Sequence, residues 1–243
     1  RILLGGDFPR VGGVNYGHVS RLHPDGYVDS SLNIGTGLDD IVWSLGVQLD
    51  RKPIPGGRYS LVDGNDVLSA SRLNADGVYD STFAIGVGVA GEVFAVAVQS
   101  DGGIVIGGDF KKVAGVAVKN IARLNPDGTL DPTFAVGSGA DKPVRDIAIQ
   151  DDGKLVVVGE FGVLSGAAFG KVARLNPDGT ADAEFTPGMG ANGIVHSLGL
   201  QQDGGIIVAG LFTTFDGKDY PYVARLLTNG TLDEEWGGAA TGI

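Results

Sequence analysis

Short apolar segments separated by Asp-Gly turns run along the chain, and the stretch from Val93 to Phe134 shows the pattern most clearly. Val93–Gln99 is a predicted strand that turns tightly into a second apolar strand, Gly103–Phe110. A loop leads to a third strand, Asn120–Asn125, and an Asp-Gly turn leads to a short fourth strand, Thr129–Phe134. Asp-Gly between apolar segments is a strong hairpin signal because glycine accepts the positive φ that such turns require. No segment has helical apolar spacing, so the pattern predicts four antiparallel strands.

The same pattern recurs every 51 residues. A motif Arg-Leu-x-x-Asp-Gly starts at Arg21, Arg72, Arg123 and Arg174, and the fifth copy, at Arg225, carries Asn-Gly in place of Asp-Gly. Strands such as Leu155–Val158 are apolar at every position, which indicates cover on both faces. Stacked four-stranded repeats are typical of propeller blades, whereas an open β-solenoid, the alternative, normally has shorter repeats and capped ends. The sequence therefore predicts an all-β fold, a single five-bladed β-propeller domain over 1–243. Its repeats lie at about 1–41, 42–92, 93–143, 144–194 and 195–243.

The length indicates that one strand is missing from the first blade. Five repeats of 51 residues would need 255 residues, 12 more than the chain has. The missing residues correspond to the innermost strand, which would precede Arg1. An unpaired edge invites a strand from another segment or chain, so we expect a strand donor beside Arg1–Phe8.

Two sets of residues never change among the repeats. Each motif arginine is followed eight residues later by an aspartate, and we expect these residues to form structural cross-strand ion pairs, because catalysis needs one asymmetric constellation and not five copies. The pairs are Arg21 and Asp29, Arg72 and Asp80, Arg123 and Asp131, Arg174 and Asp182, and Arg225 and Asp233. Glycine recurs at positions 6, 57, 108, 159 and 210, where we expect positive φ or a close backbone approach.

The segments Arg123–Phe134 and Val144–Gly159 resemble the bacterial delta-60 repeat, a β-propeller repeat. The resemblance extends over nearly the whole chain and implies a large, secreted or surface-displayed bacterial protein. It implies no catalytic residues. The second repeat departs from the pattern, because Pro53 and Pro55 replace apolar residues of its second strand. We expect that strand to be bent or poorly paired, since proline donates no ladder hydrogen bond.

Composition narrows the possible partners. The net charge of −11 argues against nucleic acid and anionic membrane surfaces, which need clustered Lys and Arg. The absence of cysteine excludes disulfides and thiolate metal sites. No apolar run approaches the length of about 18 residues that a membrane span requires. The first residue, Arg1, has no signal peptide before it, which indicates a processed or excised piece of a longer protein.

No motif predicts a cofactor or a metal. The G-x-G-x-x-G matches at 86–91 and 188–193 precede strands, so we interpret them as turns between blades. Asp63–Asp66 resembles a calcium loop only faintly, because further oxygen ligands are missing. The three histidines show no metal-binding spacing.

The candidate ligand residues are those that break the repeat. Near the start of the first strand, which should line a central channel, one position carries Trp43, Phe94, Arg145 and His196, and the next carries Ser44, Ala95, Asp146 and Ser197. Such unlike residues converge at a channel mouth, where propellers bind ligands, although drift at solvent-facing positions would give the same pattern. Two further candidate groups are a positive patch and a set of exposed aromatic residues: Arg51, Lys52 and Arg58, and Tyr16, Tyr220 and Tyr222.

These observations favour a non-catalytic binding or adhesion module, secreted or at the bacterial cell surface, whose loops and channel mouth present a site to a glycan or protein ligand. One alternative is an assembly subunit completed by the donated strand. A second is a glycoside-active enzyme, but Asp146 is the only carboxylate in the first strands and lacks an evident partner. We therefore expect no enzymatic activity.

Overall fold

The computed structural model describes residues 1–236. This part of the chain folds as strands, turns and loops without a helix, which confirms the all-β prediction. None of its elements is a helix that could cross a membrane. The chain divides into two compact units. The first comprises Arg1–Val118 and Ala122–Asp131, and the second comprises Lys119–Ile121 and the chain from Pro132 onward.

The strands follow the 51-residue repeat. The first repeat contains β1 (Ile2–Gly5), β2 (Arg10–Val11), β3 (Val14–Asn15) and β4 (Val19–Leu22). The second contains β5 (Val42–Val47), β6 (Pro53–Gly57), β7 (Leu61–Val62) and β8 (Asn65–Asp66). The third contains β9 (Val89–Val98), β10 (Ile104–Val113), β11 (Val116–Ala117) and β12 (Ile121–Leu124). The fourth contains β13 (Val144–Ile149), β14 (Leu155–Gly159), β15 (Val163–Leu164), β16 (Ala167–Ala168) and β17 (Val172–Leu175). The fifth contains β18 (Val195–Leu200), β19 (Ile206–Gly210), β20 (Thr214–Phe215), β21 (Lys218–Asp219) and β22 (Val223–Leu226).

Within residues 1–236, all the strand pairs are antiparallel, and each pair joins two strands of the same repeat. In the first compact unit, β1 pairs with β4, β5 with β6, and β10 with β9, β11 and β12. In the second, β14 lies between β13 and β17, and β19 lies between β18 and β22. Val156 and Val158 of β14 and Ile206 and Val208 of β19 belong to one buried core in the second unit. The first unit has two such cores, one beside β4 and one around β10.

The predicted fourth strand is wrong as a strand. Each repeat forms a single isolated bridge there instead, as between Leu124 and Leu130, because the chain after the Asp-Gly turn leaves the ladder at once. The predicted loop between the second and third strands contains a small hairpin, such as β15–β16. Its turn residues, Ser165 and Gly166, have φ of 53° and 80°, the two successive positive values of a tight two-residue hairpin.

The prolines of the second repeat leave one side of β6 intact. Pro53 and Pro55 stay in register with β5, and their carbonyls accept hydrogen bonds from Leu73 (2.9 Å) and Ser71 (3.3 Å) on the other side. The N–H groups that proline lacks would point to that second side, because the N–H and C=O of one strand residue face the same neighbour. The third strand of this repeat is therefore reduced to one isolated bridge.

The recurrent glycine marks a β-bulge at the start of each complete inner hairpin. The ladder between β13 and β14 shifts register between Val144 and Asp146, opposite Gly159. A Cβ on Gly159 would collide with the backbone carbonyl of Pro143. The same collision with a backbone carbonyl would occur at Gly57, Gly108 and Gly210. A close backbone approach, and not a positive φ, therefore explains this glycine.

Candidate functional site

The four repeat-breaking residues of the first strands are the bulge residues themselves. The register shifts fall between the neighbours of Trp43, Phe94, Arg145 and His196. A β-bulge turns its extra side chain away from the ladder, and bulges are over-represented next to functional sites. The four repeats thus carry four different residues at the position that the backbone points away from the sheet.

In the first compact unit, the bulges bring two aromatic rings together. The rings of Trp43 and Phe94 make an edge-to-face contact, with centroids 6.3 Å apart and planes at 70°. The Trp43 indole Nε1–H donates a hydrogen bond to Glu92 Oε2 at 3.2 Å. The Trp43 side chain is nevertheless 48% exposed, which leaves much of its surface open to solvent.

A charged pair lies close enough to Glu92 to interact with it electrostatically. Arg58 donates two hydrogen bonds to the carboxylate of Asp40, at 2.9 and 3.2 Å. These bonds, with a smaller contribution from Glu92 and Asp7, raise the pKa of Arg58, and Arg58 in turn lowers the pKa of Asp40. Glu92 and Asp40 were not predicted from the sequence. Glu92 could have been, because it replaces an apolar or proline residue that the other repeats carry at this position (Ile41, Pro143 and Ile194).

In the second compact unit, the equivalent positions are polar. The Arg145 guanidinium is paired with the carboxylate of Glu160, which follows the recurrent glycine of β14. His196 is exposed at the bulge of β18. Glu160 is a further residue that the sequence reasoning missed, because only the bulge brings it opposite Arg145.

Asp146 holds two strands together. Its Oδ1 accepts the N–H of Ile147 at 2.8 Å, and its Oδ2 accepts the N–H of Leu198 at 2.9 Å and the hydroxyl of Ser197 at 3.1 Å. Asp146 thus ties β13 to β18 across consecutive repeats. Ser44 has the same task in the first unit, where its hydroxyl oxygen accepts the N–H of Val96 at 3.0 Å.

The tyrosine candidates separate into buried and exposed residues. The expectation that Tyr16 is exposed is wrong, because it is 7% exposed and lies in the core beside β4. Tyr220 packs against the core of the second unit. Both tyrosines share a repeat position with Val67, Val118 and Phe169, so the repeat itself marks an apolar site. Tyr222 is 47% exposed and has a φ of 69°.

The predicted positive patch does not form one surface. Lys52 is paired with Asp80 at 2.9 Å, and Arg58 is paired with Asp40. Arg51 and Lys52 precede β6, whereas Arg58 follows it, so the strand separates them. Arg51 lines a cavity beside β1.

The five recurrent ion pairs form as predicted and have two arrangements. Arg21, Arg72 and Arg174 donate through Nε to their aspartates at 2.7 Å. In these repeats the same carboxylate accepts a second cation, from Arg1, Lys52 or Lys154. In the third and fifth repeats glycine replaces that cation. Here Arg123 and Arg225 donate through Nη1 to their aspartates and through Nη2 to an additional turn aspartate, Asp101 or Asp203.

The two glycine motifs are turns, as the sequence indicates. Gly86 and Gly88 have φ of 63° and 78°, and β9 follows directly. Gly188 and Gly190 have φ of 62° and 65°. Asp63 is a turn residue of the β7–β8 hairpin, and its carboxylate accepts the N–H of Thr36 at 2.9 Å.

A family profile described as a domain of unknown function (DUF5122) beta-propeller matches residues 1–32, 99–134, 150–185 and 201–235, more than half of the chain. The chain belongs to the DUF5122 β-propeller family. The matched segments contain the Asp-Gly turns of four repeats, and the proline-bearing second repeat lies outside them. Membership of this family confirms the β-propeller prediction. No curated protein matches the chain.

Several solved structures have a similar fold. One is an extracellular domain of a one-component system from B. thetaiotaomicron, with 12% identity and a TM-score of 0.49. The match covers 85% of this chain and 24% of that protein. A second is PorZ, a bacterial surface component of the type-IX secretion system of Porphyromonas gingivalis, with 13% identity and a TM-score of 0.47. The match covers 79% of this chain and 28% of PorZ. A third is a gluconolactonase from Xanthomonas campestris, with 16% identity and a TM-score of 0.48. The match covers 77% of this chain and 59% of the gluconolactonase. The chain thus spans less than two thirds of the length of each of these proteins.

The gluconolactonase corrects the expectation that the chain has no enzymatic activity. That expectation depended only on the failure to find a catalytic constellation in the sequence. A missing sequence motif is not a sufficient reason to exclude catalysis.

Proposed function

We propose that the chain is a binding module of a secreted or surface-displayed bacterial protein. In this proposal its five delta-60-like repeats are the blades of one five-bladed propeller domain over 1–243. The ligand, a glycan or a protein, contacts the end of the inner strands where the bulges lie. The residue assigned to this contact in the first compact unit is Trp43, supported by Phe94, and Arg145 and His196 are a separate candidate contact in the second unit.

The observation that carries the proposal is the half-exposed indole of Trp43. A large aromatic side chain left open to solvent is informative when the surrounding structure holds it rigidly. Here the edge contact with Phe94 and the hydrogen bond to Glu92 fix the indole in one orientation. A preorganised aromatic surface loses little side-chain entropy when it binds, which favours recognition.

A comparison of two aromatic substitutions tests this proposal. The unchanged chain, Trp43→Ala and Tyr27→Ala would be probed on a glycan array and in pull-downs from cell-envelope extracts. Tyr27 is a suitable control because it is 75% exposed but lies beside the Asp-Gly turn after β4, away from the bulges. We expect a captured ligand to be lost with Trp43→Ala and kept with Tyr27→Ala. Equal capture by all three chains would contradict the proposal.

We also infer an assembly role, in which a strand adds to the edge of β1. Within residues 1–236, β1 is paired only with β4. Beside β1 lies a cavity of about 1120 Å³, lined by the apolar side chains of Leu3, Leu45, Val47 and Pro53 together with polar residues. An unpaired strand edge next to apolar walls suits β-strand addition.

A peptide with the sequence of the fourth inner strand, 144–150, tests the assembly role. We expect it to slow amide exchange in β1 and to raise the melting temperature, whereas the same peptide with proline at two positions should do neither. Unchanged exchange in β1 at saturating peptide would contradict strand addition at this edge.

A further inference from the structure

The aromatic pair of the first compact unit lies among carboxylates. Glu92, which accepts the Trp43 hydrogen bond, stands directly opposite Asp109 in the β9–β10 ladder. Like charges opposite each other on neighbouring strands destabilise a sheet. The third repeat is also the one whose inner strands continue past the bulge, to ten residues each, and this extension is what pairs Glu92 with Asp109.

Arg58 does not neutralise these carboxylates. Arg58 is held by two hydrogen bonds to Asp40, although its pKa is also raised by Glu92 and Asp7. Among the described contacts, neither Asp109 nor Asp7 forms an ion pair. No described ion pair joins a cation to Glu92 or Asp109, so these two carboxylates bring negative charge to the surface beside Trp43.

The chemistry of these groups selects one class of ligand. A cation within about 6 Å of a tryptophan ring is attracted by the ring face, and nearby carboxylates add a Coulomb attraction. A hard divalent metal needs several oxygen ligands in one shell, whereas this surface offers two facing carboxylates and an aromatic plane. An organic ammonium group fits both, because its single positive charge can lie on the ring face beside the carboxylates without a full shell of oxygen ligands.

We propose that Trp43, Glu92 and Asp109 bind the ammonium group of an organic cation. The cation lies on the exposed indole, and the two carboxylates supply the opposite charge and are relieved of their mutual repulsion. Two sources of the group share this chemistry, the amine of an amino sugar and the quaternary ammonium of a choline head group. The proposal rests on the proposed binding function and specifies the ligand that this part of the surface takes.

The two tryptophans of the chain allow a direct test, because Trp43 and Trp236 give one indole N–H resonance each by NMR. The labelled protein would be titrated with choline and with glucosamine. Their neutral counterparts, dimethylbutanol and N-acetylglucosamine, serve as controls. We expect the Trp43 resonance to shift with at least one cation, little with its neutral counterpart, and the Trp236 resonance to stay in place. The responding cation identifies the source.

Substitutions complete the test. Glu92→Gln and Asp109→Asn should each weaken the affinity by a factor of about 1.4 to 5, the range for an exposed charge pair. Trp43→Ala should weaken it about fivefold to thirtyfold. Glu235→Gln, an equal change of charge on an exposed residue at the other end of the chain, should leave the affinity unchanged. Backbone spectra of all variants establish that they are folded.

Two results would overturn the proposal. The first is no shift of the Trp43 resonance at about 10 mM of either cation, because the Kd would then be far weaker than that of specific sites. The second is an equal shift with the neutral counterpart. The second result would mean that the ring recognises shape and not charge. In either case a ligand captured through Trp43 from an array or an extract would leave the binding function standing, so the two proposals can fail separately.

Discussion

The guanidinium of Arg123 occupies the space that a side chain on Gly103 would fill. A Cβ on Gly103 would lie within collision distance of Arg123 Nη2 and Cζ, and Gly205 has the same relationship to Arg225. The guanidinium in this position reaches Asp101 as well as Asp131. A single residue position therefore decides which of the two ion-pair arrangements a repeat adopts.

Replacing Gly103 tests this relationship. Gly103→Ala should lower the free energy of unfolding by about 1–3 kcal/mol, because the methyl group displaces the guanidinium without supplying a new partner. Gly103→Lys should be less harmful, since lysine at this position pairs with the repeat's aspartate in the second and fourth repeats. Urea denaturation gives both values. A cost for Gly103→Lys equal to or above that for Gly103→Ala would show that this position does not decide the arrangement.

The bulge glycine should not accept a side chain. Gly159→Ala forces a methyl group onto the carbonyl of Pro143, and we expect a loss of about 1–3 kcal/mol in the free energy of unfolding. Gly199 of β18 is the matched control, because a Cβ there would meet no atom within 4 Å. Gly199→Ala should be neutral or stabilise by about 0.4–1 kcal/mol, since it restricts the unfolded chain. Similar losses for both variants, measured by thermal or urea unfolding, would argue against the close approach at the bulge.

The buried aspartates should make the fold sensitive to acid. Burial by itself raises the pKa of Asp182, but the hydrogen bonds from Lys154, from the N–H of Glu184 and from Arg174 outweigh it and bring the pKa to about 2. The pKa of Asp80 is lowered further for similar reasons. A carboxyl whose pKa is lower in the folded state stabilises the fold above its unfolded pKa, about 3.9, and loses that effect as the pH falls towards its folded pKa.

Stability should therefore fall between about pH 4 and pH 2. Asp182→Asn should be less stable than the unchanged chain at pH 7 and should lose less stability across that acidic interval. Urea midpoints at several pH values measure both effects. A variant whose midpoint falls as steeply as that of the unchanged chain would mean that Asp182 does not contribute to the acid response.

Asp146 should contribute to the stability of the fold, whereas His196 should not. Asp146→Ala leaves the N–H of Leu198 without its acceptor, so we expect a loss of about 1–3 kcal/mol in the free energy of unfolding. His196→Ala changes an exposed side chain and should stay within about 0.5 kcal/mol of the unchanged chain. Denaturant titrations of the two variants provide the measurement. If Asp146→Ala were as stable as His196→Ala, the hydrogen bonds of Asp146 would not support the fold.

The sequence predicts most of the fold because each repeat states the same local rules again. Short apolar segments and Asp-Gly turns locate the two long strands β9 and β10, and invariance among the repeats identifies the Arg–Asp pairs. The small outer hairpins are harder to recognise, since two-residue strands such as β15 have no periodicity and depend on positive φ at Ser165. The contact between Trp43 and Glu92 joins residues 49 positions apart, so only the stacking of neighbouring repeats creates it.

Burial could have been predicted better than it was. Tyr16 looks like an exposed aromatic residue when its loop is considered alone, but the same position in other repeats is valine or phenylalanine. Comparison among repeats separates residues that a common environment requires from residues that it merely tolerates. The same comparison predicts that Trp43 is exposed, because the equivalent residues in the other repeats are phenylalanine, arginine and histidine.

The bulge separates the residue that varies from the residues that hold the strand. In the fourth repeat the recurrent glycine and the hydrogen bonds of Asp146 fix the backbone on either side, while the bulge side chain itself contributes nothing to the ladder. Mutations at this position are therefore free to accumulate without unfolding the chain. The side chains at these positions can therefore change one repeat at a time, and a designer could exchange them as independent modules.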